Sequence, residues 1–198
     1  MKTKPFLATA LAVALLAMQS EGQAAATAGT KFFDSSTKQW VTFGAETRQR
    51  HNPVPREIVA YAGPYGADTI VVNTAERRLY YVLGNGKAIR YGVGVGREGF
   101  QWAGTHRITR KAEWPGWTPP PQMRKRQPGL PLYMEGGPAN PLGARALYIG
   151  STLYRIHGSN EPWTIGQAVS SGCVRMTNDD VTDLYDKVKV GTRVVVLR

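Results

Sequence analysis

The sequence predicts a mainly β domain carrying one principal α-helix, and three observations predict it. Short β-branched runs alternate with period two on either side of the pair Asn85-Gly86. Glycine (22) and proline (13) are abundant, which favours short elements joined by turns over long helices. A single stretch, beyond residue 177, spaces its apolar residues as one face of a helix. The 198 residues suit one domain with an arm, and 42% apolar residues supply a core.

Residues 1–26 read as a signal peptide and are excluded from the fold. Lys2 and Lys4 give a positive start, and Phe6 to Met18 is an apolar run. That run is shorter than the ~20 residues a membrane-spanning helix needs. Ala24-Ala25-Ala26 then offers a small-residue cleavage site. Residues 27–64 mix polar, aromatic and basic residues without clear period and read as an arm or linker. The domain proper is assigned to 65–198.

Thr69 to Val72 is the first strand signal and Arg78 to Leu83 the second. Gly84-Asn85-Gly86 predicts a tight hairpin, after which Lys87 to Val95 returns as a strand. Gly92-Val93-Gly94-Val95-Gly96 is no nucleotide loop, because no helix start follows it. Residues 111–145 are rich in Pro, Gly and Trp and predict a long loop, with Tyr133 to Gly137 as a candidate lid. Ala146 to Ile156 reads as one buried strand delivering His157 at its end. The helix follows, with Asn178 as its expected cap and Val181, Leu184, Tyr185 and Val188 on its apolar face. Gly191 ends that segment, and Arg193 to Leu197 closes as a strand.

The formal net charge is +11, and remains about +10 without the leader. Such a field draws polyanions; for an exported chain it favours the anionic wall or envelope surface over nucleic acid, with solubility alone as the alternative that charge leaves open. Cleavage of the leader would leave no stable membrane insertion. Cys173 is the chain's one cysteine, so no internal disulfide forms. An unpaired thiol in an oxidising compartment is either buried and inert or used.

The surroundings of Cys173 favour use. His157-Gly158 lies sixteen positions upstream, and Ser170-Ser171-Gly172-Cys173-Val174-Arg175 surrounds the thiol. Thiol catalysis needs a thiolate and an imidazole that takes and returns its proton. The amides of Gly172 and Cys173 are candidate oxyanion donors. Arg175 offers charge to lower the thiol pKa or to grip a substrate carboxylate, with a structural salt bridge as the alternative; its place in the motif favours a functional role. Ser171 stands beside Gly172, and Trp163 reads equally as pocket wall or core cap. His106 falls on a strand and reads as structural, His51 as solvated. Tyr148 and Tyr154 read as core residues. Three scattered histidines and one cysteine show no metal-ligand spacing, so neither metal nor cofactor is expected.

With these residues in view, the chain resembles the L,D-transpeptidase catalytic domain of the YkuD type. The resemblance rests on His157-Gly158, on Ser170 to Arg175, on the following helix and strand, and on the hairpin near Leu79 to Val95 with Gly104-Thr105. It covers roughly 65–198. It implies a YkuD-like β-sandwich and an exported, periplasmic enzyme acting on peptidoglycan stem peptides. Cys173 would be nucleophile, His157 base, and the Gly158 carbonyl the acceptor that orients the imidazole. The implied reaction joins two diaminopimelates through a Cys thioester, releasing D-alanine. With water as acceptor it becomes an L,D-carboxypeptidase, and with an envelope protein an anchoring enzyme. Many members carry a second histidine where this chain has Ser171, which leaves His157 as sole base. Papain-like peptidases place Cys before His, and sortases separate His and Cys more widely. The non-enzymatic alternative is a basic peptidoglycan-binding module.

Overall fold

A computed structural model describes the backbone of residues 30–34 and 39–43 and all of residues 54–198. The leader, most of the arm and His51 lie outside the described residues. Strands β1 (Thr30–Asp34) and β2 (Gln39–Phe43) form an antiparallel pair.

The Asn-Gly signal does what its chemistry dictates. Strands β5 (Arg78–Gly84) and β6 (Lys87–Gly92) pair antiparallel across it, with Asn85 at φ 50. Strand β4 (Thr69–Asn73) pairs with β5, and β3 (Glu57–Ala60) adds an edge beside β6. This last strand falls inside the segment read as an arm. It has no apolar period because it is largely exposed on both faces, as an edge strand is free to be. The sixth strand stops at Gly92, earlier than expected, and Val95–Gly96 forms a separate short β7.

β8 (Gly104–Glu113) joins the two halves of the sheet. Its first half pairs with the closing strand β13 (Arg193–Leu197), which runs parallel to β4. Its second half pairs with β9 (Arg145–Ile149), after a register shift between Ile108 and Arg110. A bulge of this kind bends a strand and lets it serve two sheet halves. Ile70, Leu79, Tyr91, Ile108, Leu147, Ile156 and Val194, drawn from both halves, are buried in one core cluster.

The apolar run 146–156 is two strands, not one. Gly150, at φ 55, and Thr152, whose Oγ1 donates to the Ile149 carbonyl at 2.6 Å, turn the chain back. β10 (Arg155–His157) then pairs antiparallel with β9. The expected 111–145 loop is shorter than predicted, because β8 runs on to Glu113 and β9 begins at Arg145; within it Trp117, Leu130 and Leu142 bury a small core of their own, with Met123 of the short helix α1 (Pro121–Arg126) packed on it.

Helix α2 (Asn178–Lys187) follows the Cys173 segment. Its cap is Thr177, one residue before the expected Asn178: the threonine hydroxyl accepts from Asp180 N–H at 3.2 Å. Asn178 is diverted, its Oδ1 accepting from Ala144 N–H at 2.9 Å. Val181, Leu184 and Val188 are buried as the period predicts, each stabilising by about 1.5–3 kcal/mol. Lys111 Nζ donates to the carbonyls of Tyr185 and Val188, both at 2.7 Å, and so closes the helix C-terminus. The architecture is mainly β with one main helix, the class the sequence predicts.

Candidate active site

β12 (Val174–Arg175) lies parallel to β10, pairing Ile156 with Val174 and His157 with Arg175. Partners in register share a face, and side chains alternate along a strand. Val174 and Ile156 are buried in the core. Arg175 and His157 therefore belong to the opposite face, and Cys173 directly precedes β12, its Sγ 4.0 Å from the Leu153 carbonyl oxygen. The sixteen-residue spacing is spent on a turn, a 3₁₀ segment (Pro162–Thr164) and β11 (Ala168–Ser170), which pairs with β7.

His157 is buried, 4% exposed. Its Nδ1 lies 2.5 Å from the Gly158 carbonyl oxygen. A carbonyl only accepts, so Nδ1 carries the proton and Nε2 of the neutral ring is left as the basic atom. Burial, then the Arg175 charge, push the imidazole pKa down to about 3, against the opposing pull of the Gly158 carbonyl. Gly158 has no room for a side chain: a Cβ would collide with Asn178 Oδ1 at the start of α2.

Cys173 is a free thiol, partly exposed. The loop before it is held at several points. Ser170 Oγ accepts from Gly172 N–H at 3.1 Å and donates to the Cys173 carbonyl at 2.6 Å. The Gly172 amide is thereby engaged within the loop. Trp102 Nε1 donates to the Gly172 carbonyl at 2.7 Å. The Trp102 ring stacks on Tyr154, with centroids 4.5 Å apart and planes 6° off parallel. Gly172 sits at φ 108, and a Cβ there would enter the Tyr154 ring. Only glycine fits both conditions. His106 packs edge-on against Trp102, 5.5 Å between centroids.

Arg175 forms a 2.6 Å ion pair with Glu161, their side chains 13% and 3% exposed. Ser171 Oγ accepts from Arg97 Nη1 at 3.3 Å. Trp163 is half-buried in the 3₁₀ segment. Sequence reasoning missed Trp102 and Arg97, and Tyr154 proves to be a half-buried wall of the cysteine loop instead of a core residue. The stacking of Trp102 and Tyr154 joins residues far apart in the chain, a signal that no local pattern carries. Among the described residues no His/Cys/Asp/Glu group is placed to hold a metal, and no helix is long and apolar enough to cross a membrane.

The YkuD family model, described as the L,D-transpeptidase catalytic domain, matches residues 67–196. The probable L,D-transpeptidase ErfK/SrfK of Escherichia coli K12 is 44% identical over 137 residues, 65% of this chain and 43% of that protein. The probable L,D-transpeptidase YbiS of the same strain is 45% identical over 134 residues, 63% of this chain and 43% of that protein. The chain thus spans less than half the length of these relatives. A solved L,D-transpeptidase from Mycobacterium smegmatis shares the fold, with a TM-score of 0.50 at 19% identity over 66% of this chain and 58% of that one.

Proposed function

Because this chain belongs to the YkuD L,D-transpeptidase catalytic-domain family, we propose that it is an exported, periplasmic enzyme that cross-links peptidoglycan stem peptides through Cys173. The observation that carries the reading is the 2.5 Å contact between His157 Nδ1 and the Gly158 carbonyl. It fixes the tautomer a base needs, on a strand paired with the one that Cys173 immediately precedes.

In this reading Nε2 of His157 takes the Cys173 proton as substrate binds, the thiolate formed beside it offsetting the burial and the Arg175 charge that disfavour the imidazolium in the free protein. The thiolate attacks the carbonyl of diaminopimelate in a stem tetrapeptide. The Cys173 N–H faces the developing oxyanion, since the Gly172 N–H is engaged by Ser170. The C–N bond to terminal D-alanine breaks, and His157 returns the proton to the leaving amine. The thioester on Cys173 is then attacked by the side-chain amine of a neighbouring diaminopimelate, whose proton passes to His157, and the thiol is regenerated. The basic surface suits an anionic wall.

A muropeptide assay tests this. Disaccharide tetrapeptide is supplied to wild type, Cys173→Ala and His157→Ala, and products are followed by mass. A dimer lacking one D-alanine, absent with both variants, is the expected result. Monomeric tripeptide alone makes the chain a carboxypeptidase. No Cys173-dependent product with stem peptides removes the cross-linking reading.

A further inference from the structure

Arg175, the cation that the motif offers for gripping a carboxylate, is committed to Glu161 at 2.6 Å. That ion pair holds the Arg175 guanidinium in place on Glu161. A second guanidinium reaches the cysteine loop from a different segment. Arg97 directly follows β7; its N–H donates to the Ser170 carbonyl at 3.0 Å and its Nη1 to Ser171 Oγ at 3.3 Å. Ser171 stands two positions before Cys173. The Arg97 guanidinium also lies over the Phe100 ring, 4.2 Å from its centroid. Arg126, arriving from α1, lies over the same ring at 5.8 Å. Among the described residues neither arginine makes an ion pair with a carboxylate. Two cations drawn to one ring raise the local positive potential, which favours an anion nearby. A planar guanidinium held by a hydroxyl and an aromatic face is preset for a carboxylate.

We propose that Arg97, supported by Arg126, is the specificity-determining residue that takes a carboxylate of the donor stem peptide beside Cys173. This rests on the stem-peptide reading above. Next to the scissile bond the donor carries that chemistry in two places, on its terminal D-alanine and on the free end of diaminopimelate.

The first test needs no turnover. Cys173 is the chain's single cysteine, so its alkylation by anionic iodoacetate and by neutral iodoacetamide reads the local field. Arg97→Gln is expected to lower the iodoacetate-to-iodoacetamide rate ratio about fivefold. Arg126→Gln lowers it less, while Arg97→Lys and the remote Arg78→Gln hold it. An unchanged ratio in Arg97→Gln, or a wild-type Cys173 inert to both reagents, overturns the proposal. The second test compares three tetrapeptide donors: free acid, C-terminal amide and diaminopimelate amide. Arg97→Gln is expected to lose about thirtyfold in kcat/KM on the free acid and little on the one amide that lacks the bound carboxylate, which identifies it. Equal loss on all three donors overturns the proposal. A fallen reagent ratio with no turnover of any wild-type donor supports the anion site and counts against the stem-peptide reading, so the two failures are separable.

Discussion

Trp102 donates its indole N–H to the Gly172 carbonyl at 2.7 Å, one residue before Cys173. The same ring lies flat on Tyr154, so it fixes the cysteine loop by a hydrogen bond and by a stack at once. Trp102→Phe keeps an aromatic ring and removes the bond. We expect about 1 kcal/mol lower stability by urea denaturation and about tenfold lower kcat with KM little changed. Lost stability with unaltered kcat would confine Trp102 to a packing role.

The burial of His157 makes stability depend on pH. Its folded pKa, about 3, lies below the ordinary histidine value of 6.5, so between them the unfolded chain binds the proton and the folded chain does not. Its stabilising contribution is complete above pH 6.5 and is lost as pH falls toward 3. At pH 4 the loss is on the order of 3 kcal/mol. Urea midpoints of wild type and His157→Gln, measured at pH 7.5, 5.5 and 4, check this. The variant's midpoint is expected to fall less steeply; parallel curves would show that His157 is not the titrating group.

Gly172→Ala meets two penalties, a backbone at φ 108 and a methyl group directed into the Tyr154 ring. Together they are expected to cost about 2–4 kcal/mol and to abolish Cys173 chemistry. The double variant Gly172→Ala/Tyr154→Ala removes the collision but not the strained φ. It is expected to be less destabilised than the two single changes added together. Strict additivity in urea titrations would show that the ring and the glycine do not oppose each other.

Much of this could be read from the chain because its causes are local. The hairpin at Asn85, the Val181–Leu184–Val188 face and the His157/Cys173 motif each follow from neighbouring residues. The turn inside 146–156 was hidden because Leu147, Ile149 and Ile156 are all buried, so the apolar run gave no sign of where it folds back. β3 was hidden for the opposite reason: an exposed edge needs no apolar alternation, and Glu57 instead pairs with Arg90 across the strands. The cap moved from Asn178 to Thr177 because Asn178 is claimed by Ala144, 34 residues away. Trp102 and Arg97 become part of the site only once β7 and β11 have paired.

The Arg175–Glu161 pair separates two roles for Arg175. Glu161 is buried and 13% of the Arg175 side chain is exposed, so removing one partner weakens the compensation of the other charge in a poorly solvated place. Arg175→Met is therefore expected to destabilise by about 3–5 kcal/mol, and Arg175→Met/Glu161→Leu to recover most of that. Arg175 also depresses the His157 pKa, so its removal should raise that pKa, which histidine NMR titration reads directly. A residue that gripped substrate from a solvated position would instead raise KM at nearly unchanged stability, and the double variant would not restore it. Recovered stability and a raised imidazole pKa would make Arg175 a positioning residue for His157. Near-wild-type stability with a large rise in KM would return it to substrate binding and remove the reason for assigning the carboxylate to Arg97.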